Sequence, residues 1–169
     1  MVHSLELLFD PDTEAAIRRI WDDLAAADIP SQAPAGRPHV TLVAAERIPS
    51  EVDALLVPVT QRLPLGCVVG ASVLFGRSSA ILARLIVPTA ELLALHAEVY
   101  RLCGRYLTPG PMPNSLPDRW TAHVTLARRV ARAQLARALR IAGRPSELRG
   151  SLAGLRRWDG DKRVDYLIS

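Results

Sequence analysis

The sequence contains the tetrapeptide His-Val-Thr-Leu twice, at residues 39–42 and at residues 123–126. The chain has four histidines, so this one short string accounts for half of them. Successive side chains of a β-strand point to opposite faces, which puts histidine and threonine on one face and valine and leucine on the other. Each string therefore predicts an imidazole beside a hydroxyl group. The four side chains are His39, Thr41, His123 and Thr125.

Two imidazoles on opposite walls of a cleft suit an in-line displacement at phosphorus. One removes a proton from the attacking oxygen while the other gives a proton to the leaving oxygen, and histidine titrates nearest to neutral pH. Such general acid or base help is worth about 10²- to 10⁴-fold per group. The threonine hydroxyls can donate hydrogen bonds to the non-bridging oxygens. A lone histidine would more often be a satisfied structural residue, but the matched repeat favours a functional pair.

The residues around each string predict a repeated unit of helices and strands. Each string follows a helix and a proline-rich loop and precedes a helix and a pair of strands. Asp10 and Pro11 predict a helix start, as do Pro88 and Thr89. The predicted strands are 2–9, 39–44, 66–75, 79–87, 120–128, 147–158 and 163–169, and the predicted helices are 10–27, 50–63, 88–107 and 131–142.

Several local features qualify this assignment. Ser50 and Asp53 predict a variant capping box for the second helix, and Pro58 predicts a kink or an early end to it. Residues 29–38 and 108–119 are proline-rich loops, and the second is either a lid at the site or a connector.

Strand pairs joined by short turns favour antiparallel sheets and an α+β fold. We predict one domain, residues 1–169, built as two pseudo-symmetric antiparallel-sheet lobes with outer helices around a central groove. Each lobe contributes one His-x-Thr motif, so that the two motifs face each other across the groove.

The composition limits the class of protein. About half of the 169 residues are apolar, which is enough for a core without metal or disulfide support. Cys67 and Cys103 lack the spacing of a zinc site or disulfide framework, which indicates reduced thiols. Residues 1–12 do not resemble a signal peptide, and no apolar stretch is long enough to cross a bilayer. We therefore expect a soluble cytoplasmic protein with no evident obligate protein partner.

The paired motifs, their spacing and their strand–helix context resemble the two-histidine (2H) phosphoesterase superfamily. The resemblance extends over essentially the whole chain and is strongest to the 2′-5′ RNA ligase-like branch, the RNA 2′,3′-cyclic phosphodiesterases. It implies a bilobed α+β fold and opening of 2′,3′-cyclic phosphates to 2′-phosphates without a metal or other cofactor. Some members also join RNA ends through a 2′-5′ linkage. The implied partners are RNA ends with a cyclic phosphate, or small cyclic nucleotides.

Other residues are candidates for substrate contacts. Arg128 follows the second motif as a phosphate-binding arginine does in the family, although strand alternation points it away from His123 unless the strand ends or bulges. Arg37 could reach a phosphate at the mouth of the groove. Trp120 either stacks a base at the rim or packs in the core. Of the remaining histidines, we predict His3 to be an ordinary residue of the first strand and His96 to be a partly exposed residue of a helix.

Two further functions compete with this one. The chain could be a non-catalytic RNA- or nucleotide-binding module, or a cyclic phosphodiesterase that acts on a small nucleotide metabolite. The net charge of +4 is carried almost entirely by arginine, with Lys162 as the only lysine, so charge alone does not favour RNA.

Overall fold

The computed structural model describes residues 1–31, 36–76 and 79–169. Parts of the predicted 29–38 loop (residues 32–35) and of the predicted hairpin turn (77–78) lie outside this description. The strands are β1 (His3–Phe9), β2 (His39–Arg47), β3 (Leu65–Phe75), β4 (Ala80–Ile86), β5 (Thr108–Pro111), β6 (His123–Val130), β7 (Leu148–Asp159) and β8 (Val164–Ile168). The α-helices are α1 (Pro11–Ala26), α2 (Glu51–Thr60), α3 (Ala90–Cys103) and α4 (Leu135–Ala142). The predicted order is confirmed, and β5 is an additional strand within the second proline-rich loop.

The strands form one eight-stranded antiparallel sheet, which confirms the α+β class. The order is β5-β2-β1-β7-β3-β4-β6, and β8 pairs with β7. The long strand β7 connects two parts of the sheet, because its residues 148–152 pair with β3 while 152–158 pair with β1. The pair of strands that follows each motif in the sequence joins the part of the sheet that contains the other motif. The β3–β4 hairpin follows the first motif but pairs with β6 of the second, and β7 pairs with β1 beside the first motif.

The helix starts follow the predictions at α1 and α3. Asp10 accepts a hydrogen bond from the backbone N–H of Thr13 at 3.0 Å, and Thr89 accepts one from Leu92 at 3.2 Å. Burial would raise the pKa of Asp10, but hydrogen bonds from Thr13 and Ser151 lower it to about 2. Helix α3 ends at Cys103, before the predicted Leu107, because a short 3₁₀ turn follows it.

The capping-box prediction for α2 is wrong. Ser50 has helical backbone angles and makes no side-chain cap hydrogen bond. Asp53 instead pairs with Arg157 on β7, through bonds of 2.7 and 2.9 Å, which ties α2 to the sheet. A long-range ion pair has therefore replaced a local cap. Helix α2 ends at Thr60, two residues after Pro58, as an early end at the proline predicts.

The core lies between the sheet and the helices and includes both cysteines. Burial raises the pKa of the Cys67 and Cys103 thiols to about 12, so neither is a ready nucleophile. Arg84 is also buried, and its guanidinium donates to backbone carbonyls of Val69, Ala142 and Ser146. Among the described residues, no helix is both long enough and apolar enough to cross a membrane.

Candidate active site

The two His-Val-Thr-Leu strings begin β2 and β6 and alternate as predicted. Both valines and both leucines are buried at 0–1% exposure, whereas the histidines and threonines are half-buried. The apolar residues fix each strand against the core, which leaves an imidazole and a hydroxyl on the other face. The four predicted catalytic side chains, His39, Thr41, His123 and Thr125, therefore have the orientation that the sequence predicts.

Both histidine rings make the same local hydrogen bond. Nδ1 of His39 lies 2.8 Å from the carbonyl oxygen of Arg37, and Nδ1 of His123 lies 2.7 Å from that of Thr121. A carbonyl can only accept, so Nδ1 must carry the hydrogen in each ring. This leaves Nε2 of each neutral imidazole without a hydrogen and able to accept a proton.

The backbone carbonyl of each motif threonine accepts a hydrogen bond from a tryptophan side chain. The indole N–H of Trp120 donates to the carbonyl of Thr41 at 2.9 Å, and that of Trp21 donates to the carbonyl of Thr125 at 3.2 Å. A buried strand carbonyl that lacks a ladder partner must find another donor. This arrangement was not predicted from the sequence, since neither tryptophan is adjacent in sequence to the threonine whose carbonyl it binds.

His96 is part of this support, and its prediction as a partly exposed residue is wrong. The ring is 1% exposed, donates from Nε2 to the carbonyl of Leu42 at 2.9 Å and stacks on Trp120 at 3.9 Å. Burial lowers its pKa, even though hydrogen bonds to the Leu42 and Ser115 carbonyls oppose that shift. One face of Trp120 is therefore occupied by His96, as the core-packing alternative predicts. A base contact by Trp120 at the rim stays a prediction.

Two cavities meet at Thr41. A cavity of about 820 Å³, here called the large cavity, is lined by His39 and Thr41, and a cavity of about 140 Å³, the small cavity, is lined by Thr41 and His123. Thr125 and His39 together line a third space of about 30 Å³. The structure thus brings both motifs to one groove. The two rings are also close enough for a charge on His39 to help lower the pKa of His123.

The environments of the two histidines differ. His123 lies against the ring of Phe75, with 4.7 Å between ring centroids. Burial is the largest cause that lowers the pKa of His123, and His39 and Arg128 lower it further, against the raising effect of the bond to Thr121. His39 instead has a carboxylate nearby, because its Nε2 lies 3.5 Å from Oε1 of Glu6. The neutral form is therefore favoured at His123.

The arginine candidates lie at the large cavity. Arg128 lines it, because β6 is irregular there: the β4–β6 register shifts and Arg129 has a φ of 55°. The irregularity overrides the alternation that would turn Arg128 away from the site. Arg37 lines the same cavity but pairs with Glu14 at 2.9 Å. Arg128 makes no ion pair within the described residues.

Of the charged residues of this cavity that were not predicted from the sequence, two are buried. Glu6 on β1 and Arg156 on β7 both line it, and both are less than 10% exposed. A lone carboxylate inside the apolar strand "HSLELLF" was a signal that could have drawn attention to Glu6. Arg156 gave no comparable signal, because the adjacent Arg157 carries the same charge but pairs with Asp53 of α2, and the sequence does not distinguish the two.

The described residues contain one group of potential metal ligands, away from the two motifs. Ligand atoms of His3, Asp159 and Asp161 lie within 4.8 Å of one another. The Met1 amino group is 2.6 Å from Asp161, and Lys162 is 3.8 Å from Asp159, so cations of the chain already neutralise these carboxylates. This group lines a separate cavity that includes neither His39 nor His123.

Solved structures with the same fold come from bacteria and yeast. The chain aligns over 100% of its length and 96% of TT0787 from Thermus thermophilus, with a TM-score of 0.64 and 17% identity. The alignment with E. coli LigT, solved with 3′-AMP, covers 98% of this chain and 91% of that one, at a TM-score of 0.57 and 12% identity. Usb1 of Kluyveromyces marxianus, solved with uridine monophosphate, gives coverages of 99% and 97%, a TM-score of 0.56 and 11% identity. These likenesses establish a shared fold.

The sequence comparison gives the family. No curated protein matches the sequence. A family model described as the 2′-5′ RNA ligase superfamily matches residues 9–162, which include both His-x-Thr motifs and every helix and strand from α1 to β7. The resemblance drawn from the two motifs is thereby confirmed, and the chain belongs to the 2′-5′ RNA ligase superfamily, whose fold is that of the 2H phosphoesterases.

Proposed function

We propose that this protein is a metal-independent phosphodiesterase that opens 2′,3′-cyclic phosphates on RNA ends or nucleotides. Its superfamily consists of ligases and phosphodiesterases, which supports an enzyme. The observation that carries the proposal is the matched pair of Nδ1 bonds at His39 and His123. Each bond leaves one Nε2 free to exchange a proton, and Thr41 lines a cavity with each ring.

The reaction would proceed by in-line attack of water on the cyclic phosphorus. Nε2 of one histidine takes a proton from the water as the new P–O bond forms. Nε2–H of the other gives a proton to the ribose 3′ oxygen as the P–O3′ bond breaks, which leaves a 2′-phosphate and a 3′-hydroxyl. Hydroxyls of Thr41 and Thr125 donate to the non-bridging oxygens, where negative charge increases. Proton exchange with solvent then restores both rings.

The same site would join RNA ends if a 5′-hydroxyl took the place of water as the nucleophile. The 5′ oxygen then attacks the cyclic phosphorus, the P–O3′ bond breaks and a 2′-5′ linkage forms, without any change in the roles available to His39 and His123. We propose 2′-5′ ligation only as a second activity of the same site, supported by the superfamily to which the chain belongs.

Nucleotide recognition has support from the cavity and from the relatives. Arg128 lines the large cavity beside His39 and is available to a phosphate oxygen. E. coli LigT and yeast Usb1 were solved with 3′-AMP and uridine monophosphate respectively, and both share this fold. We place the protein in the cytoplasm, which the two free buried cysteines suit.

The test is hydrolysis of 2′,3′-cyclic mononucleotides, and of oligonucleotides that end in a cyclic phosphate, in the presence of EDTA. We expect His39→Ala and His123→Ala each to lower kcat by about 10²- to 10⁴-fold. His3→Gln is the matched control, since His3 lines a different cavity and its ring binds Asp161 there.

Activity that survives both alanine substitutions, or that disappears with EDTA, would contradict the proposal. Nucleotide binding without turnover would favour the binding module instead. A kcat/KM much higher for mononucleotides than for oligonucleotides would favour a small metabolite as the substrate.

A further inference from the structure

Glu6 is a buried carboxylate that faces the first catalytic histidine. It lies on β1 opposite Thr41 of β2 and is 4% exposed. Arg156 donates from Nε to Oε2 at 2.8 Å, its Nη2 lies 2.8 Å from the same oxygen as an ion pair, and the Ser4 hydroxyl donates to Oε1 at 2.6 Å. Both carboxylate oxygens are therefore acceptors, and the side chain is fixed. Oε1 also lies 3.5 Å from Nε2 of His39, which is an ion-pair distance.

The other charges around His39 are mainly positive. The large cavity receives Arg18 from α1, Arg37 from the preceding loop, Arg128 from β6, Arg156 from β7 and Asp165 from β8. His123 on β6 is a further cation when it is protonated. Within the described part of the chain, Glu6 is the one carboxylate within 4 Å of His39. The negative charge of Glu6 therefore offsets the positive neighbours, which by themselves would disfavour the protonated form of this ring.

We propose that Glu6 is a positioning residue that holds His39 in its protonated form, so that His39 is the general acid and His123 the general base. The catalytic part of this assignment rests on the proposed function. His39 then gives its Nε2 proton to the ribose 3′ oxygen, and His123 removes a proton from water. Glu6 touches His39 and not the reacting atoms, and it acts through that ring alone.

The sizes of the two cavities agree with this direction. In-line geometry puts water on one side of the phosphorus and the 3′ oxygen, with the rest of the nucleotide, on the other. The cavity at His39 has about 820 Å³, which can hold a nucleotide, whereas the cavity at His123 has about 140 Å³. The bulky leaving side thus matches His39 and the small nucleophile matches His123. The lowered pKa of His123 also keeps that ring neutral and able to accept a proton.

The test compares Glu6→Gln with Asp165→Asn by two measurements. Asp165 is a matched control because it lines the same cavity and lies 3.4 Å from the far side of Arg156, away from the contact with His39. Both substitutions remove one negative charge and keep the shape of the side chain. The first measurement is the NMR titration of the histidine ring nitrogens, which requires no substrate. The second is the pH profile of kcat for a 2′,3′-cyclic nucleotide.

We expect His39 to lose its ring proton at lower pH in Glu6→Gln than in the wild type, while Asp165→Asn leaves that titration in place. The basic limb of the profile then moves to lower pH, so that kcat falls about tenfold at pH 8 and less than about twofold at pH 5.5. Glu6→Asp retains the charge and restores the basic limb even where it lowers the rate. Thermal unfolding of each variant identifies any loss that comes from misfolding.

Three results would overturn the assignment. In Glu6→Gln, these are an unchanged His39 titration and a fall in kcat by the same factor at every pH. The third is a basic limb of the kcat profile that follows the NMR titration of His123 and not that of His39. If the wild type has no cyclic phosphodiesterase activity but the His39 titration moves in Glu6→Gln, the proposed function fails and the contact between Glu6 and His39 stands. The two failures are therefore distinguishable.

Discussion

Strands β2 and β6 carry the same tetrapeptide and the same local hydrogen bonds, but they place their histidines in different surroundings. His39 lies beside the Glu6 carboxylate at an arginine-lined cavity, whereas His123 lies beside the Phe75 ring at a small cavity with an apolar wall. The rings share one tautomer because each Nδ1 binds a carbonyl two residues earlier. A repeated sequence can therefore give two chemically unequal groups, since charge and burial come from other strands.

Apart from the loss of either catalytic histidine, the largest effect on this comparison is expected from the motif threonines. Thr41→Val and Thr125→Val remove a hydroxyl but keep the side-chain shape, so each should lower kcat by about 10²-fold, with less effect on KM. Thr41 lines both the large and the small cavity, so Thr41→Val should lower kcat at least as much as Thr125→Val does. Steady-state kinetics on a 2′,3′-cyclic nucleotide measures both values. Thr60→Val, at the end of α2 and outside these cavities, is the control.

A rise in KM with kcat unchanged in the threonine variants would mean that the hydroxyls stabilise the bound substrate and the transition state equally. An effect confined to one strand would show that only one motif contacts the phosphate.

Phe75→Leu should change the base side of the pair alone. Burial holds the pKa of His123 below its usual value, so the wild-type ring stays neutral, and able to accept a proton, to lower pH. Greater access of water should raise that pKa towards the ordinary value of about 6.5 and move the acidic limb of the kcat/KM profile to higher pH. We expect a loss of about threefold at pH 5.5 and little change at pH 8.

The pH profile of Phe75→Leu, set against that of Glu6→Gln, separates the two histidines. A shift of the basic limb in Phe75→Leu would contradict the assignment of His123 as the base.

The smallest effects are expected from the tryptophans that hold the two motif threonines. Trp21→Phe and Trp120→Phe remove the indole donors, so the free energy of unfolding should fall by about 1–2 kcal/mol in each. Trp21 is 2% exposed, whereas Trp120 is half-buried beside a cavity, where a water molecule can donate to the Thr41 carbonyl in place of the indole N–H. The loss of stability should therefore be larger for Trp21→Phe. Urea unfolding measures both changes.

Trp158→Phe is the matched control for the tryptophan series, because its indole N–H donates no hydrogen bond within the described part of the chain. Equal losses in all three variants would show that ring volume, and not the bond to the threonine carbonyl, determines stability.

The order of elements and two helix starts could be predicted because their signals are local. Asp10 and Thr89 bind backbone N–H groups three residues ahead, so the sequence alone indicates both caps. The α2 cap was predicted wrongly because Asp53 has a stronger partner, Arg157, that is distant in sequence. His96 was misassigned for the same reason, since its neighbours Leu42 and Trp120 come from other elements.

The amino-acid sequence by itself determined which face of each motif strand carries the imidazole and the hydroxyl, and it determined the superfamily. Alternation along a strand is a property of the backbone, so it needs no knowledge of the neighbours. Only the tertiary structure decided that Glu6 faces His39, that Arg128 turns towards the site and that two indoles hold the motif threonines. These contacts depend on strand order, register and a local irregularity, which arise when distant segments pack together and which short-range spacing does not encode.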